Sequence, residues 1–431
     1  MKQFILFFKS NVEFLLLISL FLSVGFLGYY GSVDKVSVQW LYLPFVSILS
    51  IFYVDSKYKY NMLSFFKSPY VISFITIIFF GTLSFFNSNN TSETIIALSR
   101  WVILFGVFYA LFSIFSYLKP TLYLLSFTLS IVLFLELLYS LSTLLDILKI
   151  VNFNQDYAIL LKGVTGNKNI TSAIFAVKLP FVYYLLYNSK SLMLKIFSFI
   201  LICLTFFTLY FLSTRGILLG LLICSTIIFF IFLYSSIKFS FNVAFKHLLL
   251  FISPIFVSLF LFSISLGESN NTVNLSSRLS NSISPNNSSV STRLGYYSNA
   301  IDQILETPFV GIGLGNWKIK SIDFDHLNID GYTVPYNTHN DLLEIGAEIG
   351  LVGLLTYLFS FIYLFNLLLL FYKNNIISSI GFISFTSALF LYFIDLNLNF
   401  PTYRPVSHLL LLIISSYLIH LKINIYEKHV D

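Results

Sequence analysis

Charged side chains are scarce: Asp, Glu, Lys and Arg make up 10% of the 431 residues, against about 25% in ordinary soluble domains. So few cannot cover a water-exposed surface, which excludes a soluble globular protein. Cysteine is nearly absent. The two present, Cys203 and Cys224, lie inside apolar runs, which excludes a disulfide framework of the secreted kind and leaves packing as their use. Arginine is rarer than lysine, with five positions in the whole chain, and histidine has six.

What fills the chain is apolar: 57% of residues are hydrophobic. Stretches near or above the ~18 residues that cross a bilayer as a helix recur along almost the whole length, about twelve in all. A bilayer offers no water to unpaired backbone amides, so helices are the reading such runs allow. The expected architecture is an all-α integral membrane protein of about twelve transmembrane helices. Residues 1–266 carry helices 1 to 9, residues 267–340 form one large polar loop with short helices, and residues 341–431 carry helices 10 to 12. The first apolar run follows Lys2 and Lys9, as a signal peptide would. It is long and lacks a small-x-small cleavage site, so a retained helix is expected.

Lysines such as Lys57, Lys119, Lys190 and Lys373 fall on one face and mark it as cytoplasmic, with both chain termini. Nine spans then precede the large loop, which puts it on the periplasmic or extracellular side of a bacterial inner (cell) membrane. The net charge of +6 reflects this topology and calls for no nucleic-acid partner. All five arginines, Arg100, Arg215, Arg278, Arg293 and Arg404, fall at the outer face or in outer loops. A guanidinium is a planar fork that grips phosphate oxygens two at a time, so the pattern points to an external anionic ligand. For any single arginine, anchoring at the lipid boundary is the alternative.

Arg215 stands out, because Ser213-Thr214-Arg215-Gly216 is the whole connection between two apolar runs. Arg293 is expected in the first turn of a short amphipathic helix reaching about Glu306, with Leu294, Tyr297, Ile301, Ile304 and Leu305 near helical spacing. Free amides at that helix start would add to anion binding. Arg278, Arg404, and Lys168 with Asn169 ahead of another span are further binding candidates. Glu136 is a lone carboxylate inside the fifth run, where such acids pair or line a path; the sequence names no partner.

His339, in Asn337-Thr338-His339-Asn340-Asp341, closes the loop where the chain returns to the membrane. An imidazole with a reference pKa of about 6.5 can accept a proton at neutral pH. Glu344 and Glu348 follow within two turns, at spacings that let one orient the ring or face another helix. Gly311-Ile312-Gly313-Leu314-Gly315-Asn316-Trp317 lacks the strand-turn-helix context of a nucleotide loop. It reads as a tight turn against neighbouring helices, with Trp317 as an interfacial or sugar-stacking aromatic. Asp323, Asp325, His326, Asp330 and Asp341 show no metal-ligand spacing, so neither a metal nor another cofactor is expected.

Several of these pieces carry a resemblance. His339-Asn340, nine residues, Gly350, two residues and Gly353 is similar to a pattern of bacterial O-antigen ligases and their relatives, the Wzy-type polysaccharide polymerases and pilin-type O-oligosaccharyltransferases. The Arg293 helix followed by Pro308 and the Gly311–Gly315 turn, Ser-Thr-Arg-Gly at Arg215, and Gly166-Asn167-Lys168-Asn169 look like further pieces of that family, in order. The resemblance covers roughly Gly163 to Tyr357. It implies a GT-C-like fold and metal-independent glycosyltransfer from an undecaprenyl-diphosphate-linked glycan on the periplasmic side. The acceptor would be lipid A-core, another lipid-linked repeat or a protein hydroxyl. Arg215 and Arg293 would then steady the leaving diphosphate and His339 would act as base. A transporter for an anionic lipid or solute is the alternative of another class, though it should leave charges at several depths of the bundle.

Overall fold

The computed structural model describes residues 2–59, 62–150, 155–238, 241–266, 288–325 and 336–427, and among these no strand occurs. Among the described residues eleven helices are long and apolar enough to cross a membrane, from Lys35–Asp55 to Pro405–Ile425. This is a multi-pass membrane protein. The expected first span falls on α1 (Lys2–Leu22) and the 3-10 turn Ser23–Phe26, whose apolar part, Asn11–Phe26, is shorter than the eleven.

The chain divides into two compact units. The first comprises residues 1–119, 285–370 and 396–431. It holds α1, α2 (Lys35–Asp55), α3 (Met62–Phe66), α4 (Pro69–Leu83) and α5 (Thr91–Leu118). Its α5 starts where Asn90 caps the amides of Ser92 and Glu93, and Glu93 in the first turn suits the positive end of the helix. At 28 residues it is about 42 Å long, more than the ~30 Å hydrocarbon layer requires. Aromatic rings fill the space behind it, with Phe65 4.7 Å from Phe112 and 5.6 Å from Phe108, centre to centre.

The second unit comprises residues 120–284 and 371–395. It contains α6 (Leu122–Ile150), α7 (Lys168–Asn188), α8 (Leu192–Leu212), α9 (Arg215–Lys238) and α10 (Phe241–Leu266). Within it Glu136 does have a partner. The Lys178 ammonium hydrogen-bonds its carboxylate, and each of the two residues is 1% exposed. Two charges at helix-interior positions are tolerable only in such a pair.

In the large loop, α11 (Ser288–Glu306) and α12 (Trp317–Asp325) are helical. They precede α13 (Asp341–Lys373), α14 (Ser379–Leu398) and α15 (Pro405–Glu427). The amphipathic helix thus begins earlier than expected, and Arg293 lies in its second turn, away from the free amides at its start. Its apolar positions also split: Ile304 is buried, while Leu294, Ile301 and Leu305 are exposed. Arg278, His326 and Asp330 lie outside the described residues.

Candidate functional site

The first unit assembles its polar residues around a break in α13. Ile349 (φ −127°) and Gly350 (φ 79°, ψ −177°) leave helical geometry, and the conformation of Gly350 is one that essentially only glycine adopts. The loop after α11 docks in the gap. The Pro308 carbonyl accepts from Leu351 N at 2.8 Å, Ile312 N donates to the Ala347 carbonyl at 3.1 Å, and Gly313 N donates to that of Glu348 at 3.0 Å. A Cβ on Gly311 would stand 2.3 Å from the Glu348 carbonyl carbon, and one on Gly350 2.6 Å from the Pro308 oxygen. Gly311 and Gly350, one from each motif, are therefore explained by one close backbone crossing.

The same crossing orders the residues beside it. Trp317 N donates to the Glu348 carboxylate at 3.1 Å, and buried Asn316 donates to Thr94 at 2.8 Å and accepts from Asn90 N at 2.7 Å. Trp317 corrects the expectation of a sugar platform. It is 1% exposed and packs with Ala300, Ile304, Ile312 and Ala347, so no ligand can stack on it.

Ahead of α13, Glu344 organises the histidine turn. Its carboxylate accepts from Thr338 N at 2.8 Å, Thr338 Oγ1 at 3.1 Å and Asn337 Nδ2 at 3.1 Å. Asn340 accepts from Leu343 N at 3.1 Å as the cap of the helix. Between these two anchors His339 adopts a left-handed backbone, φ 57°, an uncommon state for a residue with a side chain. Glu344 thus orients His339 through the backbone, not through the ring.

The imidazole lies between aromatic rings, parallel to Tyr296 at 6.5 Å and edge-on to Phe400 at 5.3 Å. Its Nδ1 is enclosed without a hydrogen-bond partner among the described residues. Burial, and then the positive charge of Arg293, push its pKa down to about 4, so the ring is neutral at pH 7. Tyr297, one residue beyond Tyr296 on α11, donates to the His339 carbonyl at 3.2 Å and to that of Asn397 at 2.8 Å. The structure therefore brings Arg293 and His339 together and ties their elements by one hydroxyl.

A polar cavity of about 250 Å³ adjoins this turn. Asn337 and Phe400 form part of its wall, with Arg100, Arg404, Lys318, Asp34 and Glu93. Lys318 pairs with Glu93 at 2.5 Å. Arg404 lies over the Phe400 ring at 5.2 Å; burial lowers its pKa and the Asp34 carboxylate opposes that shift. Arg100 lies over Trp40 and Tyr403, at 5.8 and 5.6 Å from the ring centres. Tyr403 is raised well above the ordinary phenol value by burial and by the neighbouring Glu344 and Glu348 charges.

The other candidates lie in the second unit. Arg215 opens α9 half-buried, after Ser213 turns the chain at φ 49° with its hydroxyl donating to the Tyr210 carbonyl at 2.8 Å. Asn167 caps α7 by accepting from Asn169 N at 2.8 Å, which leaves Lys168 and Asn169 half-buried in the first turn. Among the described residues no group of three or more His, Cys, Asp or Glu side chains is placed to hold a metal.

Sequence reasoning missed Lys178 and the hydroxyl of Tyr297. A lysine inside an apolar run, one span after a lone glutamate, was a readable signal. Nothing in the spacing announced that Tyr297 would join the histidine turn to the end of α14.

Fold and site together define a multi-pass helical membrane protein with a neutral histidine and an arginine held in its main interhelical loop. Residues 197–358 match the family model for O-antigen ligase, so the resemblance to the O-antigen ligase and Wzy family stands on that stretch, which includes Arg215, Arg293 and His339. No curated protein matches the chain.

Proposed function

We propose that the protein is an O-antigen ligase-type glycosyltransferase. It moves a glycan from undecaprenyl diphosphate to an acceptor hydroxyl, that of lipid A-core, at the periplasmic face of the inner membrane. One observation carries this reading: within the family-matched stretch, a neutral imidazole is fixed in a left-handed turn beside an arginine.

The acceptor hydroxyl gives its proton to His339 as its oxygen bonds to the anomeric carbon. The bond from that carbon to the diphosphate oxygen breaks, and the leaving group takes the electron pair. Attack opposite the diphosphate inverts the anomeric centre. The guanidinium groups of Arg293 and Arg215 stabilise the charge that develops on the leaving group. The donor itself carries the driving force, so no nucleotide, metal or other cofactor enters the step.

The coupling of Arg293 to His339 adds order to the reaction. While Arg293 is unoccupied, its charge keeps the imidazole a weak base. An anionic diphosphate on Arg293 offsets that charge, and the basicity of His339 rises when the donor is in place.

Deletion followed by glycan analysis of the cell envelope tests the assignment. Loss of a ligase leaves bare lipid A-core while polymer accumulates on undecaprenyl diphosphate. Single repeats attached to the core would instead identify a polymerase. An unchanged envelope with altered export of a lipid or solute would identify a transporter.

A further inference from the structure

The polar cavity beside the histidine turn carries more information than the transfer chemistry needs. Its five charged wall residues, Arg100, Arg404, Lys318, Asp34 and Glu93, sum to a single positive charge. Two of the three cations are answered by the two acids, Lys318 by its ion pair with Glu93 and Arg404 by the field of Asp34. Arg100 is the third. It makes no ion pair among the described residues, lies over the faces of Trp40 and Tyr403, and also borders a smaller space shared with Asp341, Glu344 and Glu348. It sits ten residues along α5, where a guanidinium is costly unless it borders a polar space.

Behind Arg100, the acids of α13 are occupied by the loops they hold. Asp341 accepts from Thr402 N at 2.9 Å, Glu344 from Thr338 N at 2.8 Å and Glu348 from Trp317 N at 3.1 Å. None of these three carboxylates belongs to the wall of the polar cavity; they line the smaller space beside it that Arg100 also borders. Tyr336, Phe400 and Tyr403 add aromatic faces to the wall, and a volume of about 250 Å³ falls just under the ~300 Å³ at which pockets for small ligands begin. Arginine forks, aromatic faces and the Asn337 amide are the groups that grip one pyranose ring bearing a carboxylate. A diphosphate would bring more negative charge than one spare cation answers, against Asp34 and Glu93 in the same space.

We infer that this cavity binds an acidic sugar, one pyranose with a single carboxylate, whose carboxylate is held by Arg100 while the linked sugar lies at His339. The identity of the ligand as part of a glycan rests on the transferase reading; the choice of an acidic sugar rests on the wall. Asn337 and Phe400 connect the two places, the first two residues before His339 and the second in ring contact with it.

The test is binding to the full-length protein in lipid nanodiscs, followed by ligand-observed NMR with methyl β-glucuronide, methyl β-glucoside and inorganic phosphate. A bidentate charge-assisted contact should make the glucuronide bind about tenfold more tightly than the glucoside. Arg100→Gln should remove that preference, Arg100→Lys should keep part of it, and His339→Ala should leave it intact. Equal binding of the two glycosides by the unaltered protein would overturn the inference without any variant having to fold. So would tighter binding of phosphate than of glucuronide, or a preference that survives Arg100→Gln. Preference without glycan transfer would count against the transferase reading alone, and transfer without preference against this inference alone.

Discussion

The Glu344 carboxylate accepts the amide of Thr338 at 2.8 Å, and the next residue, His339, stands at φ 57°. The acid and the strained turn are one device. Glu344→Gln preserves shape but turns one acceptor oxygen into a donor facing Thr338 and Asn337. The cost of a buried donor left without an acceptor, about 1–3 kcal/mol, should appear as a fall in kcat of about tenfold or more with KM little changed. A variant with unaltered kcat would remove Glu344 from any positioning role.

His339, with its pKa near 4, is active as the neutral ring, so activity should be present above that pKa and lost as pH falls through it. In kcat/KM, which reports the free enzyme, the acidic limb should lie near pH 4. Arg293→Gln removes one of the two causes of the depression, so the His339 imidazole of that variant, titrated by NMR without need of turnover, should move up in pH, towards the ordinary histidine value. The same direction should be seen in kcat for the unaltered protein, because bound diphosphate offsets Arg293. An imidazole titration that does not move in the variant would separate the two residues.

Arg215 and Arg293 are argued to hold diphosphate oxygens by their planar forks. Replacing either with alanine should abolish transfer, and so should His339→Ala, with insertion into the membrane unchanged. Lysine at Arg215 keeps the charge but not the fork and should recover only a small part of the rate. Full recovery by lysine, measured with purified donor and acceptor, would reduce the requirement to charge alone.

Gly350 adopts a conformation closed to other residues, and a Cβ there would stand 2.6 Å from the Pro308 oxygen. Gly350→Ala should therefore lower stability by about 1–3 kcal/mol and loosen the loop that links α11 to α13. Thermal unfolding in detergent checks the first effect and proteolysis of the loop the second. A variant as stable as the parent would mean that the crossing yields at little cost.

The helices were legible because long apolar runs have one structural outcome in a membrane, and Arg293 and His339 were legible because charge is conspicuous in such a chain. What escaped is instructive. The break at Gly350 lies within an apolar run, and hydropathy does not register a backbone dihedral. The start of α11 at Ser288 was hidden in Ser/Asn-rich sequence whose propensity favours turns over helix. Trp317 offered an aromatic face that composition cannot assign to a core or a surface, and the crossing at Gly311 decided it. Arg100 was one of five outer arginines until its neighbours showed that it borders the polar cavity with no ion pair among the described residues.

Glu136 and Lys178 make the last case, since each is 1% exposed and each was written into an otherwise apolar helix. Removing one partner leaves the other as an uncompensated charge in a medium that cannot solvate it, so Glu136→Leu or Lys178→Met alone should destabilise by about 3–5 kcal/mol. The double variant, with both charges gone and similar volume, should recover most of that loss, because the desolvation cost disappears with the attraction. Thermal unfolding of the four proteins gives the coupling between the two positions. If the double variant is stable but fails in transfer, the pair serves the reaction as well as the packing. If it is stable and active, the pair does no more than hold two helices in register. Single variants as stable as the parent would mean that these side chains reach water, against the burial described here.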